Sequence, residues 1–208
     1  MFIIYKSKIF ILTFITFFIF TFINPNKAFS NNEKIDIKNI HQLLKDKKFT
    51  ETIKKLEELS LENNIKAQLL YSKILFSGDI IPQNFEKSYK WATTSSLGGL
   101  KGSSQILKKI KSYLTEEQLI PINEGIEKFL EKRAFINDKR AIIQIAKFYE
   151  KKSNPPEMIN AYSWYSIAVA KGIKSAKKKR DSILKDLNEK DLTEAQKLSS
   201  KLFKQIKN

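Results

Sequence analysis

An internal repeat is the feature of this sequence that most constrains its fold. The stretch from Ala67 to Gly99 returns, with small differences in spacing, from Ala141 to Gly172. In each copy a first alanine is followed by residues at offsets that fall on one face of a helix. These positions are Ala67, Tyr71, Ser72, Leu75 and Gly78 in the first copy, and Ala141, Ile145, Ala146, Tyr149 and Lys152 in the second.

Each copy continues after a short loop with a second helical segment that contains Tyr-x-Trp. The tryptophans are Trp91 and Trp164, 73 residues apart, and the two segments end at Gly99 and Gly172. Glycine is the residue favoured just after the end of a helix. Each copy therefore predicts two antiparallel helices, and helix pairs that recur along a chain stack into a solenoid.

The two copies resemble the Sel-one-like repeat family, a branch of the tetratricopeptide-like helical solenoids. The resemblance implies an all-α, right-handed α-solenoid of antiparallel helix pairs, with about ten helices and no strands. The sequence departs from the family pattern at Ser72 and Ala146, where the family has an inner glycine, and at Lys152, where it has an outer one. The residues that carry the resemblance are Ala67, Tyr71, Gly78, Trp91, Gly99, Ala141, Tyr149, Trp164 and Gly172.

Residues 1–30 have the pattern of a secretory signal peptide. Lys6 and Lys8 precede an apolar run from Ile9 to Ile23, and small residues follow at Ala28 and Ser30. We expect cleavage after Ser30 and export to the periplasm. An uncleaved inner-membrane anchor is the alternative, although the apolar run is shorter than the roughly 20 residues of a spanning helix unless Phe2 to Tyr5 are included.

Residues 31–208 are predicted to form a single α-solenoid domain. It comprises an N-terminal helical hairpin (31–62), a first repeat unit (63–135) and a second repeat unit (136–208). Helix starts are marked by Asn84 and Asn154, which can cap the second helix of each copy. Thr-x-x-Gln capping boxes at Thr115 and Thr193 suggest a further start in each unit. Because these threonines are 78 residues apart, they also suggest that five residues were inserted near residues 184–190.

The residue types argue against an enzyme. The chain has no cysteine, which excludes disulfides, thiol catalysis and a lipid anchor on cysteine, and His41 is its single histidine. Adjacent glutamates such as Glu57 and Glu58 diverge by about 100° on a helix and cannot face one substrate. We therefore predict no catalytic residues, no metal site and no cofactor. Trp91 and Trp164 are interpreted as packing residues, with a ligand-stacking platform as the alternative.

The basic charge suggests an acidic partner. Residues 1–30 hold three lysines and no acid, so their removal lowers the net charge from +16 to +13. On the first helix of each copy, cations recur seven residues apart, off the stripe expected to be buried. We predict that Lys66, Lys73, Arg140 and Lys147 form an exposed basic strip along the concave groove.

The expected partner is another envelope protein or an anionic polymer. Export makes nucleic acid an unexpected partner despite the charge. The densest basic run, from Lys177 to Arg180, is a second candidate and could contact an anionic membrane surface.

Two functions follow from these patterns. The first is a non-enzymatic, periplasmic or secreted scaffold for protein–protein interaction, built of Sel-one-like repeats. The second is an envelope hydrolase, or an enzyme associated with peptidoglycan or other glycans, of the secreted Sel-one-like type. A deep pocket with two facing carboxylates would favour the enzyme, and a shallow open groove would favour the scaffold.

Overall fold

The structure is a computed structural model that describes residues 37–153 and 155–207. The predicted signal peptide lies outside these residues. Every regular element in the described part is helical, which confirms the all-α prediction. The helices are α1 (37–45), α2 (Phe49–Leu61), α3 (Ile65–Ser77), α4 (Phe85–Leu97), α5 (Ser103–Lys111), α6 (Glu116–Phe135), α7 (Lys139–Lys151), α8 (Met158–Ala170), α9 (Lys177–Leu184, after a 3₁₀ turn at Lys174–Ala176) and α10 (Glu189–Gln205).

The packing of the helices repeats with the sequence. Helix α4 packs against α3, α5 and α6, and in the second unit α8 packs in the same way against α7, α9 and α10. The two units meet where α7 packs against α6 and α4, and α2 covers α3 at the other end. Because each helix packs on helices one or two places away in the chain, the described residues form stacked helical repeats.

The predicted insertion of five residues is wrong. Helix α6 is capped by Thr115 in a complete capping box, as expected. In the second unit, however, the cap of α10 is Asn188, whose side chain accepts a hydrogen bond from the Asp191 amide. Thr193 lies inside α10 and donates its hydroxyl to Glu189 O. Since α6 begins at Glu116 and α10 at Glu189, their starts are 73 residues apart, the same spacing as between the two tryptophans.

The helix boundaries follow local chemistry, with one further difference from expectation. Asn84 caps α4 by accepting from the Lys87 amide, as predicted. Helix α8 begins at Met158, so Pro155 and Pro156 lie in the loop before it. The N-cap position of α8 is Glu157, so the predicted cap at Asn154, which itself lies outside the described residues, is wrong. The helices α4 and α8 end before Gly99 and Gly172, which both have a left-handed backbone with φ of 83°.

The first helix pair, α3 and α4, meets where both helices carry a small residue. In the first unit Ser72 and Ser88 are fully buried, and each hydroxyl donates to the other residue's backbone carbonyl, over 2.9 and 2.7 Å. In the second unit the corresponding residues are Ala146 and Ala161, also fully buried. Small side chains allow the two helix backbones to come close, which serine and alanine both permit.

The tryptophans lie in the core. Trp91 is 5% exposed and packs between Tyr71 and Phe129, at ring-centroid distances of 6.4 and 5.6 Å. Trp164 is 1% exposed and packs on Phe135 at 5.8 Å. This burial agrees with the packing interpretation. No helix among the described residues is long and apolar enough to cross a membrane.

Candidate functional site

The four cations of the predicted strip lie in different environments. Lys73 is exposed on α3, whereas Lys66, Arg140 and Lys147 are half-buried. Lys66 and Lys73 are two turns apart on α3, and neither side chain forms an ion pair with another described residue. The expectation that all four side chains are exposed is therefore wrong for three of them.

The two cations of α7 hold the units together. Arg140 donates to Asn63 O over 2.8 Å, and Lys147 donates to Leu97 O over 2.9 Å. Asn63 lies in the loop before α3, 77 residues from Arg140. Leu97 is the last residue of α4, 50 residues from Lys147. Burial lowers the pKa of Lys147 below its usual value. These contacts satisfy backbone carbonyls near helix ends, so both side chains have a structural role.

A buried polar network joins the units beside these cations. The side-chain amide of Asn63 donates to Gln144 Oε1 over 2.7 Å and to Asp138 Oδ2 over 3.2 Å. Gln68 Nε2 donates to Asn63 Oδ1, and Gln144 Nε2 donates to Thr94 O. Gln68 and Gln144 are fully buried, so these hydrogen bonds replace contacts with water that folding removes.

The loops that carry this network are a second pair of repeated elements, which the sequence analysis missed. Asn63 and Asn137, 74 residues apart, both have a φ of 65° in the left-handed region. The residues that follow, Asn64 and Asp138, cap α3 and α7. The signal was present in the sequence, because Asn63-Asn64 and Asn137-Asp138 precede the repeated alanines at equal distances.

Two carboxylates and a tyrosine meet between α6 and α7. The Tyr149 hydroxyl lies 2.6 Å from Glu127 Oε1 and 3.3 Å from Glu131 Oε1. Burial, together with the charge of Glu127, raises the pKa of Glu131 above its usual value. Burial and the hydrogen bond to Glu127 raise the pKa of Tyr149, which keeps the hydroxyl protonated as the donor.

This cluster is better explained as packing than as catalysis. The carboxylates are four residues apart on one face of α6, a spacing that could serve paired acids. Both carboxylates, however, accept from the same Tyr149 hydroxyl. Two shallow open grooves of the described surface lie elsewhere, on α9 and α10. Among the described residues no group of three or more His, Cys, Asp or Glu could hold a metal ion. His41 is exposed on α1.

The basic run from Lys177 to Arg180 is only partly available to a partner. Lys179 forms an ion pair of 2.8 Å with Glu150, which also accepts from the Tyr165 hydroxyl. Arg180 pairs with its neighbour Asp181. Lys177 and Lys178 are exposed and line an open groove on α9, together with Lys174, Asp181, Ser182 and Lys185.

Comparison with known proteins adds little to this geometry. No family model matches the sequence, and no curated protein matches it. The structure is similar to that of a protective antigen present in uropathogenic Escherichia coli strains, which displays an SLR fold. The TM-score is 0.35 and the identity 13%; the match covers 74% of this chain and 41% of the antigen. The fold assignment therefore rests on the helices and on their repeated packing.

Proposed function

We propose that this protein is an exported, non-enzymatic scaffold of the Sel-one-like type that binds an acidic partner through α3. The observation that carries the proposal is the pair Lys66 and Lys73, which share a face of α3 and form no ion pair with described residues. Lys73 is exposed, so a partner can reach it without any change in the fold. The partner is an acidic segment of another envelope protein, with an anionic polymer as the alternative.

The contacts between units support a binding role for α3 more than for α7. Arg140 and Lys147 already donate to carbonyls inside the protein. The charge of Lys147 still contributes to the local potential, because a hydrogen bond to a neutral carbonyl does not neutralise a cation. Lys147 therefore attracts an acidic partner at longer range, and the α3 lysines contact it. Such attraction acts mainly on the association rate and weakens with salt.

An enzyme of the envelope is the competing proposal. It would need Glu127 and Glu131 to act on a substrate, and both carboxylates accept from Tyr149 at the junction of α6 and α7. A deep pocket with facing carboxylates would favour this alternative. Loss of a hydrolytic activity in a Glu127→Gln variant with unchanged stability would support the enzyme and contradict the scaffold.

Binding can be tested with a matched pair of charge reversals. Lys73→Glu and Lys45→Glu each change the net charge equally at an exposed helical lysine. Poly-L-glutamate should bind the parent protein, and binding should weaken in Lys73→Glu but hold in Lys45→Glu. The salt dependence should become flatter only in the first variant. Equal losses would mean that general charge, and not the α3 surface, attracts the polymer.

The same variants test whether the partner is a protein. Envelope proteins captured by the parent and by Lys45→Glu, but not by Lys73→Glu, are candidate partners. Export is a separate part of the proposal, supported by the sequence of residues 1–30. Sequencing the N-terminus of the protein from cells should give Asn31 as the first residue. Retention of Met1 on membrane-bound material would instead indicate an anchored protein.

A further inference from the structure

The loops between the helices lie alternately at two opposite edges of the helical stack, because successive helices run in opposite directions. The first edge carries the loops that precede α3, α5, α7 and α9, which are residues 62–64, 98–102, 136–138 and 171–176. The second edge carries the loops that precede α2, α4, α6, α8 and α10, which are residues 46–48, 78–84, 112–115, 152–157 and 185–188.

Contacts hold the loops of the first edge together. Some of these contacts join two loops or the residues beside them, and others join a loop to the end of α10. The pairs in contact are Asn63 with Asp138, Ser95 with Ile65, Lys171 with Phe203 and Lys207 with Phe135. The first edge is therefore one continuous surface.

The two edges differ in charge. When three residues on either side of each loop are included, the first edge carries ten cations and only two acids, Glu62 and Asp138. Asp138 is already paired with Arg133, at 3.0 Å. The second edge, taken in the same way, carries ten cations and eleven acids. The first edge is therefore strongly basic, whereas the charges of the second edge nearly cancel.

Helix stability does not account for the cations of the first edge. The helix dipole favours acids in the first turn and disfavours cations there. Of the helices that begin at the second edge, α2, α4, α6 and α10 have acids in the first turn. The helices that begin at the first edge have none, and α7 and α9 begin with Lys139-Arg140 and Lys177-Lys178. This distribution suits an anionic surface outside the protein.

Each loop of the first edge also contains or adjoins an accessible aliphatic side chain. Leu61 and Ile136 are 51% and 47% exposed, and Leu100 and Ile173 are partly exposed. A soluble polyanion would gain little from these side chains. A lipid surface offers both partners, because anionic head groups lie above an apolar layer that aliphatic side chains can enter.

We infer that the first edge binds the surface of a membrane that contains anionic lipids. The lysines contact the head groups, and the aliphatic side chains enter the interface. Each lysine near such a surface contributes a factor of about five to the affinity, and the attraction weakens with salt. Of the two α3 lysines proposed above to bind an acidic partner, only Lys66 lies at this edge. The experiments below change neither of them, so the two proposals can fail separately.

Fluorescent labels can show which edge meets the lipid. Because the chain has no cysteine, Ile136→Cys and Leu184→Cys each create a single labelling site, at an exposed aliphatic residue of the first and second edge, respectively. An environment-sensitive fluorophore at 136 should brighten and shift to the blue with vesicles of equal parts phosphatidylcholine and phosphatidylglycerol, but not with phosphatidylcholine alone. The label at 184 should respond to neither. Lipid contact by the apolar run from Ile9 to Ile23 alone would leave both labels unchanged.

A matched pair of charge variants tests the lysines. Lys101→Glu, Lys139→Glu and Lys174→Glu together change one exposed lysine at each of three loops of the first edge. The response at 136 should then require about a hundredfold more lipid. Lys48→Glu, Lys151→Glu and Lys185→Glu at the second edge give the same net charge and should leave the response as in the parent.

Three results would overturn the inference. The first is no response at 136, and the second is an equal response of the labels at 136 and 184. The third is an equal loss in both charge variants, which would mean that net charge alone attracts the lipid. Binding of poly-L-glutamate that depends on the lysines of the first edge, without any response to vesicles, would assign this edge to a soluble polyanion instead.

Discussion

The two repeat units reach the same helix crossing with different chemistry. In the first unit Ser72 and Ser88 exchange hydrogen bonds with each other's backbone, and in the second the corresponding residues, Ala146 and Ala161, have no side-chain hydrogen-bonding group. All four residues are fully buried. The comparison shows that the crossing requires small side chains, and that their polarity matters less as long as each polar group has a partner.

The two units also differ at the C-terminal ends of α3 and α7. Gly78 follows α3 with a φ of 76°, a left-handed conformation that favours glycine. A Cβ atom there would also lie 2.5 Å from the Gln83 side chain. Its counterpart Lys152 has a φ of −121°, which any residue adopts. The second unit therefore leaves α7 by a different path, and this explains why lysine is tolerated there.

The largest expected effect concerns the tryptophans of the two units. Trp164→Ala and Trp91→Ala should each lower the free energy of unfolding by roughly 3 to 5 kcal/mol, because each removes a buried aromatic side chain. Chemical denaturation measures the loss. Trp164 is the more deeply buried, so its loss should be the larger. If either variant unfolds like the parent, that tryptophan is not a packing residue.

The next largest effect is expected at Asn63 but not at Asn137, although both have a left-handed backbone. Asn63→Gly should lower the free energy of unfolding by about 2 kcal/mol, because it leaves the buried amide groups of Gln144 and Gln68 with fewer partners. Asn137→Gly is the matched control, with the same φ. Its Oδ1 is buried and has no partner among the described residues. This second change should be neutral or slightly stabilising. Equal effects would mean that the network does not join the units.

A smaller effect is expected at the crossing itself. Ser72→Ala alone should cost about 1 kcal/mol, since it removes a hydroxyl that donates to Ser88 O. The double variant Ser72→Ala and Ser88→Ala copies the second unit and should recover part of that loss. Thermal unfolding of the single and double variants measures their interaction. Strictly additive losses would show that the hydroxyls act independently.

The smallest effect is the dependence of stability on pH at Glu131. Its folded-state pKa is raised above the usual 4.5, so the folded protein holds the proton more tightly than the unfolded chain. Stability should therefore fall as pH rises from about 4.5 through the folded pKa. Glu131→Gln should remove this decline and stabilise the protein at pH 7 by less than about 1 kcal/mol, because water screens a half-exposed carboxyl. Glu124→Gln, an exposed change on the same helix, is the control for the loss of one carboxylate charge.

Much of the fold could be predicted from the sequence because its signals are local. The helix pairs can be predicted from residues that recur at helical spacing on one face. The helix ends at Gly99 and Gly172 follow from the backbone freedom of glycine. The false match of Thr193 with Thr115 has a local cause as well. A threonine with a glutamine three residues later is typical of a helix start. In the structure, however, α10 is already capped by Asn188, five residues before Thr193.

The sequence by itself determined that this protein is a repeated set of helix pairs with buried tryptophans, since the helical period fixes which residues share a face. Only the tertiary structure decided which polar groups meet across the units. Asn63 contacts Asp138 and Gln144, which are 75 and 81 residues away in the chain, and Lys147 reaches a carbonyl 50 residues away. Such contacts depend on how whole helices pack against one another, and no periodicity within a single helix specifies them.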